Sequence, residues 1–161
     1  MEVTLRKAGN VDLNFQAPPS KSYTHRALIA ASLAVGDSLI SNPLEAEDIA
    51  ATREALMGMG VEIIAGERSS RVRGTGGTLC CPPGLVMNMH NSGTSMRLLT
   101  SVALLCNNPV ILTGSPRMKE RPLGPLADAL TALGGSIEFM EKTGFPPVKV
   151  SGRLTGGRVR V

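Results

Sequence analysis

Residues 22–34 (SYTHRALIAASLA) place Ala27, Ala30, Ala31 and Ala34 at helical spacing, and Gly36-Asp37 closes the run, which predicts a helix. SLISNPL (38–44) then reads as a strand running into a turn. EAEDIAATREALMGMG (45–60) predicts an amphipathic helix with Ile49, Leu56 and Met59 on one side. Its acids fall in the first turn, where the helix dipole favours them, and Gly58 and Gly60 stand at its end. VEIIAG (61–66) and SRVRGTG (70–76) predict two strands.

The same order returns further along. Helix 94–106 (TSMRLLTSVALLC) is followed by strand 110–114 (VILTG) and helix 122–133 (PLGPLADALTAL). Gly134-Gly135 closes that helix, and strands 136–141 (SIEFME) and 148–152 (VKVSG) follow. Gly60 answers to Gly135, Val61 to Ser136 and Arg71 to Lys149, so one unit of roughly 75 residues occurs twice. The expected fold is α/β, with unit one at about residues 20–80 and unit two at about residues 88–155. In GGRVRV (156–161), Val159 and Val161 would share one face of a further strand. A strand signal that reaches the last residue predicts that the chain is part of a longer protein.

Composition narrows the function classes. At 161 residues, 42% hydrophobic and 19% charged, the chain has the make-up of a folded domain rather than a disordered segment. Aromatics are only 2%, so the core must come from Leu, Ile, Val, Met and Ala. The longest apolar runs, Ala27–Val35 and Leu98–Cys106, fall short of the ~20 residues that a membrane helix needs. MEVTLRKAGNVDL has no apolar core of signal-peptide type, so the expected location is cytoplasmic, without a membrane partner. A net charge of +4 points to an anionic partner, either nucleic acid or a small phosphorylated or carboxylated ligand. Few stacking aromatics and scattered cations weigh against nucleic acid. Cys80, Cys81 and Cys106 are odd in number and lack C-x-x-C spacing. This argues against a disulfide framework or a metal site and leaves reduced thiols as the expectation.

Three stretches carry candidate chemistry. In Pro18-Pro19-Ser20-Lys21-Ser22 the prolines stiffen the approach to a helix that Ser20 or Ser22 can cap, and Arg26 lies one turn beyond Ser22. Unpaired N–H groups, the positive dipole end, Lys21 and Arg26 together suit a phosphate or carboxylate. The same residues also suit a solvated capping turn. Asn91-Ser92-Gly93-Thr94-Ser95-Met96-Arg97 repeats the device at the start of the second unit. There Gly93 lets the backbone approach a ligand, Thr94 can cap or donate, and Arg97 follows one turn later. Walker A spacing is absent. Arg117-Met118-Lys119-Glu120-Arg121-Pro122 sets three cations before a helix opened by Pro122, or forms a basic turn partly neutralised by Glu120. His25 and His90 flank the first two motifs without metal-pair spacing, and Glu45, Glu47 and Asp48 read as helix-start residues. No general acid or base can be nominated.

Taken together, PPSKSYTHRALIAASLA, NSGTSMRLL and LTGSPRMKERPLGPLADALTALGG resemble the N-terminal part of the 5-enolpyruvylshikimate-3-phosphate synthase family. The resemblance implies the enolpyruvyl transferase fold, with two similar domains of three βαβαββ units each. The chain would then hold two of the three units of one domain, strand 2–7 would belong with the other domain, and the C-terminal domain would be absent. The implied activity is transfer of the enolpyruvyl group of phosphoenolpyruvate to the 5-hydroxyl of shikimate 3-phosphate, in aromatic amino acid biosynthesis. No metal or organic cofactor is implied.

Carried over residue by residue, Lys21 would bridge both substrates, and Ser22 and Arg26 would hold shikimate 3-phosphate. Gly93 and Arg121 would contact phosphoenolpyruvate, with Asn91, Thr94 and Arg97 in support. Leu98 stands where many members have proline. The family's Ser-Ser-Gln motif would begin just beyond Val161, and its proton-transfer acids lie in the other domain. The chain alone is therefore expected to bind without turnover, and either to need the missing remainder or to self-associate.

Two other readings stay open. A UDP-N-acetylglucosamine enolpyruvyl transferase would share the fold, but its first motif normally carries Lys-Asn where Lys21-Ser22 stands, and Cys106 falls inside a predicted helix rather than on a catalytic loop. A non-catalytic module that binds RNA or another polyanion is the second, and its steep salt dependence would distinguish it.

Overall fold

A computed structural model describes residues 3–4, 9–10 and 12–159. The Ser20 hydroxyl accepts the Tyr23 N–H at 3.4 Å and opens helix α1 (Lys21–Leu33). The face that α1 buries is Thr24, His25, Leu28, Ala31 and Ser32, rotated from the alanine stripe expected, and Ala30 is exposed. Polar residues are tolerated there because each is bonded: Thr24 Oγ1 donates to the Ser20 carbonyl at 2.9 Å and Ser32 Oγ to the Leu28 carbonyl at 2.7 Å.

Strand β1 (Val35–Ser41) starts directly after α1, earlier than the expected 38–44, because pairing with β3 (Ser69–Thr75) draws Val35, Gly36 and Asp37 into the sheet. Gly74 of β3 passes under the last turn of α1. A Cβ there would press on the Ala34 carbonyl and lie 2.7 Å from the Ala31 carbonyl oxygen, so only glycine fits. Helix α2 (Glu47–Gly58) and strand β2 (Glu62–Ala65) complete an antiparallel sheet in the order β1-β3-β2. One face turns Ile63 and Val72 inward; the other leaves Leu39 and Ile64 exposed, with Arg73 paired to Asp37 and Glu62.

The second unit opens with a short strand that periodicity did not reveal, β4 (Val86–Asn88), too brief to show alternation but parallel to β5 (Val110–Thr113). Helix α3 (Gly93–Val102) lies between them in the chain, and α4 (Gly124–Ala132) leads to β6 (Gly135–Phe139) and β7 (Val148–Gly152). The sheet runs β4-β5-β7-β6, so this unit has the full βαβαββ order, and β5, β6 and β7 answer to β1, β2 and β3. Glu62 faces Arg73 across one sheet at 3.1 Å, and Glu138 faces Lys149 across the other at 3.7 Å. The two ion pairs flank the sheets on opposite sides: Ile63 faces the buried Val72 and Ile137 faces the buried Val150, so Arg71 and Lys149, each one residue before its valine, occupy equivalent places.

Helix 94–106 is shorter than expected. It ends at Val102 and tightens into a 3₁₀ turn over Ala103–Leu105, because Cys106 leaves in extended conformation to bridge Leu79. That bridge also corrects the expectation of reduced thiols: Cys81 and Cys106 form a disulfide with Cα atoms 5.7 Å apart, while Cys80 is free and exposed. The pairing is long-range. The Cys81 N–H donates to Asn107 Oδ1, and Asn108 Nδ2 donates to the Cys81 carbonyl, each at 2.8 Å, holding the two segments together. Helix α4 begins at Gly124, not Pro122. Residues 153–159 lie outside any strand, and the last two residues of the expected strand 156–161 lie outside the described residues. Of the expected strand 2–7, only residues 3 and 4 are among the described ones, and they are in no strand.

Helix α2 packs against both α1 and α3, so the two units share one helical layer. Leu28, Ile49, Leu56, Met59, Met96, Leu99, Leu112 and Met118 are fully buried in a single continuous core. At about 1.5–3 kcal/mol per buried aliphatic side chain, this shared core is what fixes the relative placement of the helix starts. Among the described residues no helix is long and apolar enough to cross a membrane.

Candidate anion-binding cleft

The helical layer brings the starts of α1, α2 and α3 to one open cleft of about 480 Å³. Lys21 and Arg26 reach it from α1; Gly93, Thr94 and Arg97 from α3; Asn91 and Arg121 from the loops before α3 and α4. Asp48, in the first turn of α2, and Leu98 complete the lining. Sequence motifs far apart in the chain thus meet in space. Ser22 is exposed beside the cleft without lining it, and its backbone carbonyl accepts from Arg26 Nη1 at 3.3 Å.

Electrostatically, among the described residues, the cleft holds four cations against one carboxylate. Lys21 is paired with Asp48, a partner that the sequence did not single out because an acid in a first helical turn is ordinary. Arg26, Arg97 and Arg121 take part in no salt bridge among the described residues. Their guanidinium groups donate to backbone carbonyls instead. Arg97 bonds Gly93 at 3.2 Å and Pro122 at 3.0 Å, while Arg121 bonds Asn91 at 3.3 Å. Each keeps further N–H donors of its five-donor fork free for an oxyanion. Lys119 and Arg121 part company: Lys119 pairs with Glu141 at 2.7 Å, outside the cleft, so Glu120 is not the neutralising acid of that turn.

The cap of α3 is Ser92, whose hydroxyl accepts the Ser95 N–H at 3.2 Å. Thr94 is thereby left exposed at the cleft rather than spent on capping. Gly93 sits hard against Arg121: a Cβ on it would lie 2.8 Å from the guanidinium carbon and both terminal nitrogens.

The two histidines have different fates. His25 is fully buried beneath the cleft, and its Nδ1 lies 2.8 Å from Thr52 Oγ1. Burial lowers its pKa below the ordinary 6.5; nearby Asp48 opposes that shift, and Lys21 and Arg26 add to it. His90 is exposed and lines a separate depression with Glu47 and Glu54. Among the described residues no group of three His, Cys, Asp or Glu side chains is placed to hold a metal ion.

Known proteins resemble this chain in sequence and in fold. A homologue from Methanosphaerula palustris named 3-phosphoshikimate 1-carboxyvinyltransferase is 53% identical over 98% of this chain and 38% of its own length. One of the same name from Enterobacter sp. is 40% identical over 99% of this chain and 38% of its own length. The chain thus spans somewhat over a third of the length of these curated relatives. The solved EPSP synthase from Acinetobacter baumannii superimposes with a TM-score of 0.83 at 32% identity, covering 90% of this chain and 34% of that one. The enolpyruvyl transferase NikO from Streptomyces tendae, at 18% identity and a TM-score of 0.59 over 85% of this chain and 31% of its own, shares the fold. The family model described as EPSP synthase (3-phosphoshikimate 1-carboxyvinyltransferase) matches residues 5–161, and the chain belongs to that family.

Proposed function

We propose that the whole protein transfers the enolpyruvyl group of phosphoenolpyruvate to the 5-hydroxyl of shikimate 3-phosphate, releasing phosphate, in cytoplasmic aromatic amino acid biosynthesis. The observation that carries this reading is the convergence of Arg26, Arg97 and Arg121 on one cleft, without carboxylate partners among the described residues, around a glycine whose missing side chain leaves room. The two substrates bring two phosphates and two carboxylates together. Holding them side by side requires cations that offset their mutual repulsion in a partly desolvated site.

In this reading Lys21 bridges both substrates, and Ser22 and Arg26 hold shikimate 3-phosphate. Gly93 and Arg121 receive phosphoenolpyruvate, with Asn91, Thr94 and Arg97 shaping that side. Lys21 must exchange Asp48 for substrate oxygens, or share itself between them, as the ligands enter. The two units here are two of the three in one domain, and residues 2–7 belong with the other domain. The acids that move the proton in the addition and elimination steps come, in this reading, from the rest of the protein, as the family resemblance implies.

Titration of this chain with shikimate 3-phosphate at moderate salt tests the binding half of the proposal. Saturable binding that Arg26→Ala abolishes is expected, with no phosphate release when phosphoenolpyruvate is added. Binding that instead falls steeply with salt and is matched by RNA would replace this reading with a polyanion module.

A further inference from the structure

Beneath the cleft lies a buried polar chain that joins all three helix starts. His25 Nδ1 lies 2.8 Å from Thr52 Oγ1, and Thr52 Oγ1 lies 2.8 Å from Ser95 Oγ. Ser95 Oγ lies 2.6 Å from Ser92 Oγ and 3.1 Å from the Asp48 backbone carbonyl. These four side chains are 0–1% exposed. His25 comes from α1, Thr52 and Asp48 from α2, and Ser95 from α3.

The direction of this chain can be worked out from proton counting. A carbonyl only accepts, so Ser95 spends its single hydroxyl hydrogen on Asp48. Ser95 must then accept from Thr52, which spends its own hydrogen in doing so. Thr52 has none left for His25, so His25 must donate to Thr52 through an Nδ1–H. Reversing the direction would cost the Ser95 bond to Asp48. It would also place an N–H on His25 Nε2, a buried atom that finds no partner among the described residues. A buried N–H without an acceptor is rare, which opposes the reversal a second time.

We infer that His25 is a positioning residue for the cleft: its Nδ1–H heads a one-way donor chain through Thr52 and Ser95 to Asp48 that locks the starts of α1, α2 and α3 together. The geometry gives this a consequence above the chain. Lys21 stands one turn before His25, the Asp48 side chain holds Lys21, and Gly93 and Thr94 lie next to Ser95. A slip of α3 against α2 would move the glycine side of the cleft relative to the lysine side. The ring is needed as a donor in a fixed tautomer, and it touches no ligand.

The tautomer is tested without any ligand. The sequence has two histidines, so His90→Gln leaves a single imidazole whose ring nitrogens can be read by ¹⁵N NMR. The Nδ1–H tautomer is expected in the intact chain, changing to Nε2–H in Thr52→Val. Finding Nε2–H before that substitution would overturn the inference.

The positioning role rests on reading the cleft as an anion site, and inorganic phosphate is the probe. His25→Asn keeps a donor near the Nδ1 position and should bind phosphate within twofold of the parent. His25→Leu should weaken binding about tenfold, the scale of one lost buried hydrogen bond. Leu and Asn variants with equal, parent-like affinity would sink the positioning role while leaving the anion site intact. A parent chain that ignores phosphate would instead remove the anion reading, with the tautomer still deciding the donor chain.

Discussion

The Arg121 guanidinium stands 2.8 Å from where a Gly93 Cβ would be, so the first residue of α3 and the last cation of the basic turn share one small volume. The neighbour is the end of a flexible side chain, not backbone. A methyl group can therefore be accommodated by swinging Arg121 aside, at the expense of where its donors point. Gly93→Ala should fold normally, with a melting temperature close to the parent's, yet bind phosphoenolpyruvate or phosphate several-fold more weakly. Calorimetric titration of both proteins checks this; unchanged affinity would mean that Arg121 does not meet the ligand.

Lys21→Ala in the full-length enzyme should cut kcat/KM by at least about a hundredfold, since two charge-assisted contacts contribute about 1.5–3 kcal/mol each. Lys142, which lies 4.1 Å over the Phe145 ring and outside the cleft, is the control. Lys142→Ala should change kcat/KM by less than about twofold, as exposed charges generally contribute little. Steady-state kinetics on the two variants would refute the bridging role of Lys21 if the losses matched.

Gly74→Ala is the corresponding test of the fold. The added Cβ meets the carbonyl oxygens of Ala31 and Ala34, which are backbone atoms rather than the end of a flexible side chain, so backbone must shift. A loss of about 1–3 kcal/mol in urea unfolding is expected, as for other overpacked sites.

The pH dependence of stability follows from His25. Its folded pKa is lowered, chiefly by burial, so the folded state binds fewer protons than the unfolded one below pH 6.5. The contribution is fully present above 6.5 and is lost as pH falls through the folded value. Urea unfolding at a series of pH values should show parent stability dropping on acidification more than that of His25→Asn. Parallel curves for the two proteins would show that His25 does not titrate differently on folding.

The Cys81–Cys106 disulfide closes a separation of 25 residues. A loop of that size stabilises by roughly 3.5 kcal/mol in the chain-entropy view. Reductant should therefore lower the melting temperature of the parent and leave Cys106→Ser unaffected.

The repeat was legible because each unit uses the same local signals: a capped helix start, an amphipathic second helix ending in glycine, and two short strands. The cation motifs were legible too, since Lys21, Arg26, Gly93, Arg97 and Arg121 belong to stretches whose residue types suit anions. What stayed hidden depends on contacts between distant segments. Asp48 looked like a dipole-favoured acid, and only the packing of α2 on α1 reveals its pairing with Lys21. Thr52 and Ser95 read as indifferent polar residues in helices, and no periodicity marks hydroxyls that meet across a seam. Cys81 and Cys106 lack any local motif because their partnership is set by the bridge between Leu79 and Cys106. Val86–Asn88 is a strand only because β5 is beside it.

The shared helical layer also bears on how such a binding site could arise. A single copy of the unit provides Lys21 and Arg26 on one helix start but neither Gly93 nor Arg121, and it has nothing for Thr52 to meet. The cleft exists only at the junction of copies. Tandem duplication of the unit therefore does not double a pre-existing pocket but creates one, with a chemistry that neither copy holds alone.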